Sequence, residues 1–114
     1  MKFLEKRQCM EINEYKKRIE DTWLSTDNDK EHIICGLFSE LGEIASLFAK
    51  SYRGDYYLSD KIKLLKKEIG DLMYFVCKLC NYYGLDLEEI LDENIAKLKD
   101  RKERGVLRGS GDLR

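Results

Sequence analysis

The chain has 114 residues, which suits one domain and leaves little room for two. Its 21 basic and 22 acidic residues leave a formal charge of −1, so no whole-molecule field favours nucleic acid or an anionic membrane. Charged residues make up 38% of the chain and proline is absent, which points to amphipathic helices with charged outer faces.

Residues 1–12 contain no apolar stretch of signal-peptide length and are set apart as an N-terminal arm with no assigned role. From Asn13 to Leu24, Tyr15, Ile19, Trp23 and Leu24 recur at helical spacing and predict a first helix. The polar break from Ser25 to Asp29 offers N-caps for a second helix, running from about Asp29 to Ser51. Ile33, Leu37, Phe38, Leu41, Ile44 and Phe48 form its apolar stripe. Arg53-Gly54-Asp55 is a turn signal. A third helix is expected from Ser59 or Asp60 to Tyr83, with Gly84 as its stop. Asp86 and Glu89 form a capping-box-like pair, with Leu85 and Ile90 at the staple positions, and open a fourth helix that reaches about Lys102.

Residues 13–104 therefore read as one all-α, four-helix-bundle-like domain, and residues 105–114 as a glycine-rich tail. No run approaches the ~18 apolar residues of a membrane span, so no membrane partner is expected. The four cysteines are expected to be reduced thiols in a cytoplasmic protein, with Cys77 and Cys80 on one apolar helix face. So small a chain buries a modest core, and apolar surface at Tyr82, Tyr83, Leu85 and Leu87 suggests pairing with a second copy.

Glu40-Leu41-Gly42-Glu43 and Glu68-Ile69-Gly70-Asp71 both read acid, apolar, glycine, acid. Positions i and i+3 share a helix face, so each segment presents two carboxylates together. If the two helices pack antiparallel, all four converge. A lone carboxylate in such apolar surroundings costs several kcal/mol or is protonated, and a cation between the acids removes that cost. Each pair encloses a mid-helix glycine, which costs about 1 kcal/mol relative to alanine, so Gly42 and Gly70 are expected to permit close helix approach. Four carboxylates without imidazole or thiolate form a hard oxygen site suited to Mg²⁺, with Mn²⁺ as a substitute. A di-iron bundle would want Glu-x-x-His pairs, which are absent. Such a Mg²⁺ site usually works on phosphates. Lys97 and Arg101, four apart on one helix face, are the candidate phosphate contacts.

In these motifs the sequence resembles the MazG-like nucleoside triphosphate pyrophosphohydrolases of the all-α NTP pyrophosphohydrolase superfamily. The pattern is ExxE at Glu40 and Glu43, 24 intervening residues, then ExxD at Glu68 and Asp71. Asp71-Leu72-Met73-Tyr74-Phe75, Asn94-Ile95-Ala96-Lys97-Leu98 and Gly109-Ser110-Gly111-Asp112 also look alike, although Leu113 stands where a polar residue is expected. The resemblance implies Mg²⁺-dependent hydrolysis of a nucleoside or deoxynucleoside triphosphate to monophosphate and pyrophosphate, in nucleotide-pool housekeeping. By the same resemblance Glu40, Glu43, Glu68 and Asp71 are metal ligands, and Glu40 or Glu43 activates water. Lys97 and Arg101 steady the phosphates, Asn94 bonds phosphate or sugar, and Tyr74, Phe75 or Trp23 stacks on the base. A homodimer or homotetramer is implied. The alternative is a non-catalytic helical interaction module that kept the fold and lost turnover.

Overall fold

The computed structural model describes residues 9–114; the first eight residues of the N-terminal arm lie outside the described residues. Among the described residues the chain is all helical, with four α-helices and no strand. These are α1 (Ile12–Arg18), α2 (Asp29–Tyr52), α3 (Ile62–Tyr83) and α4 (Leu87–Glu103).

The first helix is shorter than its apolar spacing predicts. After Arg18 it tightens into a 3₁₀ turn, Ile19–Asp21. The backbone N–H of Thr22 (3.1 Å) and its hydroxyl (3.0 Å) both donate to the Ile19 carbonyl, closing the helix before Trp23 and Leu24. The third helix likewise opens through a 3₁₀ turn, Leu58–Lys61, so its α portion begins at Ile62 rather than at Ser59 or Asp60.

The remaining ends follow the local chemistry. Asp29 accepts from Ser25 Oγ at 2.6 Å and from Thr26 N–H at 2.8 Å, fixing the entry to α2. Gly84 adopts φ 64°, and Leu85 N–H reaches back to the Cys80 carbonyl at 2.8 Å, the pattern of a Schellman stop. The Asp86 side chain accepts from the Glu88 and Glu89 amides and caps α4.

The two long helices form an antiparallel hairpin. Gly36 of α2 lies against Phe75 of α3, while Glu40, one turn further on, meets Glu68 and Asp71, earlier in α3. Gly36 is the close-approach glycine. Gly42 and Gly70, expected in that role, have no atom of another element within 4 Å of a notional Cβ among the described residues, so the hairpin does not need them. The first helix and its 3₁₀ turn pack across α3 and the start of α4. Ile19, Cys77, Cys80 and Leu87 make a small core there, with Ile33 buried separately. Cys77 and Cys80 are buried free thiols, the core role their spacing suggests; burial, then the neighbouring Cys80, pushes the Cys77 thiol up. Leu87, read from sequence as spare surface, belongs to this core.

The hairpin leaves much apolar surface bare. Ile34, Phe38 and Leu41 on α2 are exposed, Phe38 by 72%, as are Ile90, Leu91, Ile95 and Leu98 on α4. The fourth helix packs on α1 and does not lie back along α3. The radius of gyration is 18.0 Å, against about 13 Å for a compact chain of this length.

Contrary to the expectation that no run approaches a membrane span, α2 is long and apolar enough to cross one by length and composition. It carries Glu40 and Glu43 near mid-length, and an ionised carboxylate at a bilayer centre costs about 2.5–3.5 kcal/mol or more. Only 11% of that stretch is buried within one chain; it packs along α3, where Glu40 meets two acids of that helix.

Candidate metal centre

The hairpin register brings Glu40, Glu68 and Asp71 together. One carboxylate oxygen from each lies within 4.8 Å of the other two. Glu40 and Glu68 are half-buried and Asp71 is exposed. Burial first, then the Asp71, Glu68 and Glu43 carboxylates, push the Glu40 carboxyl above the usual range. Three like charges this close repel one another unless a proton or a cation lies between them. The donor set is all oxygen, which fits a hard divalent ion such as Mg²⁺ or Mn²⁺. Glu43, the fourth acid of the pattern, is exposed and lies outside this trio, near enough to add to the field on Glu40.

One turn beyond Asp71, the aromatic residues of α3 join a cluster. Trp23 stacks on His32 with ring centroids 4.6 Å apart, and Phe75 meets Trp23, His32 and Tyr74 edge-on at 6.1, 5.9 and 5.5 Å. The Tyr74 hydroxyl is 2.7 Å from Thr22 Oγ1. Among the described residues the buried indole Nε1 of Trp23 has no hydrogen-bond partner. The Lys78 ammonium lies 4.9 Å from the Trp23 ring and donates to both Glu20 oxygens, at 2.7 and 3.0 Å. His32 reads from sequence as a helix-start residue; its stacking partner lies across the Ser25–Asp29 break and carries no periodicity that would reveal it.

The basic residues of α4 are arranged differently from the acids. Asn94 is exposed on the helix. Lys97 and Arg101 do share a face, and both turn to Asp112 of the tail, at 3.1 and 2.9 Å. Since α4 packs on α1, the fold of one chain does not lay these residues on the acid face of the hairpin. The pairing with Asp112 is a contact that helix spacing does not predict. Its one sequence signal is an acid set among glycines just beyond a basic helix end.

The family model of the MazG nucleotide pyrophosphohydrolase domain matches residues 28–106. The "Gene 37 protein" of Mycobacterium phage L5 is 38% identical over 85 residues, which cover 73% of this chain and 75% of the relative. No solved structure matches. The chain belongs to the MazG nucleotide pyrophosphohydrolase domain family.

Proposed function

From that family membership, we propose that the chain hydrolyses a nucleoside or deoxynucleoside triphosphate to the monophosphate and pyrophosphate, with Mg²⁺ as cofactor, in nucleotide-pool housekeeping. The observation that carries this reading is the convergence of Glu40, Glu68 and Asp71 on one hard-oxygen site. Mn²⁺ would substitute. Bound there, the ion would neutralise phosphate charge and make water easier to deprotonate. Glu40, Glu68 and Asp71 would hold it. Glu43, exposed beside the trio, is the better candidate to orient the attacking water and accept its proton. Water oxygen would then bond to the α-phosphorus as the bond to the pyrophosphate oxygen breaks. Tyr74 and Phe75 lie about a turn along α3 from Asp71 and, with Trp23 packed against them, would offer the base an aromatic wall.

Asn94, Lys97 and Arg101 would hold phosphate or sugar. They sit on a helix that packs away from the acids, so the reading includes a homodimer or homotetramer in which α4 of one copy serves the hairpin of another. The bare stripes on α2 and α4 support such pairing. A cytoplasmic location suits the free thiols.

The test is to incubate purified protein with each common nucleoside triphosphate, with Mg²⁺ or with EDTA, and to assay pyrophosphate and orthophosphate separately. Pyrophosphate that requires Mg²⁺ and disappears in Asp71→Asn is the expected result. Orthophosphate alone would move the cleavage point, and no turnover by folded, metal-binding protein would favour the interaction module.

A further inference from the structure

The tail beyond α4 has a definite fold. Gly105, at φ 71°, reverses the chain, and Val106 N–H bonds the Arg101 carbonyl at 2.9 Å. Arg114 pins the returning segment, donating to the carbonyls of Val106 (3.1 Å), Gly111 (2.6 Å) and Leu107 (3.2 Å). Arg104 Nη2 donates to the Arg114 carbonyl at 2.9 Å.

This turn delivers Asp112 onto two cations. A single oxygen, Oδ1, receives Lys97 Nζ at 3.1 Å and Arg101 Nη2 at 2.9 Å. The same Nη2 also donates to the Asp112 carbonyl at 2.8 Å. Arg101 is only 4% exposed, whereas the Asp112 side chain is 78% exposed. Arg101 is thus held in place, Lys97 is partly open with its side chain 41% exposed, and the anion between them stands open to competitors. Among the described residues, every hydrogen bond from the Arg101 guanidinium leaves from Nη2. A carboxylate engaged through one oxygen uses little of a planar five-donor fork. A phosphoryl group offers more oxygens and more charge, and guanidinium binds it in a bidentate manner.

We infer that Asp112 is a built-in stand-in for phosphate: it closes an anion site made by Lys97 and Arg101, and a polyphosphate group opens that site by exchange, freeing the tail. The inference rests on the reading of these two residues as phosphate contacts and adds their regulation in cis. A closed latch lowers the apparent affinity in proportion to the fraction of molecules that are open. The tail therefore sets how much polyphosphate is needed to engage α4.

Calorimetric titration of the full chain with inorganic tripolyphosphate, metal-free and at low salt, tests this without requiring turnover. Asp112→Asn should bind about tenfold tighter than the unaltered protein if the latch is closed nine-tenths of the time. Arg101→Gln should lose binding. In the unaltered protein, amide hydrogen exchange over residues 106–113 should accelerate at saturating tripolyphosphate. Equal or weaker binding by Asp112→Asn, unchanged tail exchange, or no binding by either protein would overturn the latch. The hydrolase reading fails separately. Tighter binding by Asp112→Asn without pyrophosphate release would leave the latch standing and remove the catalysis. Pyrophosphate release without tighter binding would do the reverse.

Discussion

The ring of Phe75 fills the space that a side chain at position 36 would need. A Cβ on Gly36 would overlap three atoms of that ring. The contact is made by a member of the aromatic cluster, and the acid trio lies about one turn away along the hairpin.

Gly36→Ala should therefore destabilise the fold by about 1–3 kcal/mol, the usual cost of overpacking. Gly42→Ala and Gly70→Ala meet open space within the chain and should stabilise the helices, each by up to about 1 kcal/mol. Thermal melting of the three variants checks the contrast. Equal effects at all three positions would mean that Phe75 yields freely.

Glu20 holds the nearly buried Lys78 ammonium, and Asn81 adds a third hydrogen bond to its carboxylate. Burial raises the Glu20 carboxyl, but the hydrogen bonds from Lys78 and Asn81 outweigh it and hold the group below its ordinary value. Glu20→Ala would leave Lys78 without its counter-charge. The expected loss is about 1–3 kcal/mol, below the 3–5 of a fully buried pair because Glu20 is 43% exposed. For a carboxyl with a depressed folded-state pKa, the stabilisation is present above the unfolded value, near ~4.3. It is lost as pH falls through the lower folded value. Urea titrations across the acid range should show a smaller loss in Glu20→Ala than in the unaltered protein, the remainder belonging to Asp29, Asp55 and Asp112, which are also held below their ordinary values.

Bringing three carboxylates together costs stability until a cation joins them. Mg²⁺ at about 100 times its Kd should stabilise the protein by about 2.7 kcal/mol, and EDTA should remove that gain. Glu68→Gln removes one of the converging charges. It should raise the melting temperature of the metal-free protein and weaken the response to Mg²⁺. Melting curves that ignore both metal and substitution would argue against a metal site.

The bare stripes on α2 and α4 predict self-association. Phe38→Asp or Ile95→Asp places a charge in the middle of one stripe and should shift the protein towards monomer in sedimentation velocity. If Lys97 and Arg101 act on the acids of another copy, the monomeric variants should lose pyrophosphate release while keeping metal binding. Full activity in a monomer would exclude that arrangement.

The helices, most of their ends and the family were legible in the sequence because they depend on local chemistry. Helical periodicity, the Asp86 cap, the Gly84 stop and the ExxE and ExxD spacing all act within a few residues. Spacing plus one assumption, an antiparallel hairpin, led to the expectation that all four acids converge; the meeting of Gly36 with Phe75 and of Glu40 with Asp71 satisfies the assumption, and three of the four come together. What the sequence left open was decided by packing between elements. It made Gly36 the point of closest approach in place of Gly42 and Gly70. It left Glu43, exposed on α2, outside the trio, although Glu68 and Asp71 at the same i,i+3 spacing both join it. It carried α4 away from the hairpin and folded the tail so that Asp112 met Lys97 and Arg101. Those contacts join residues through turns and crossing helices, and periodicity holds no information about which face of one element another will meet.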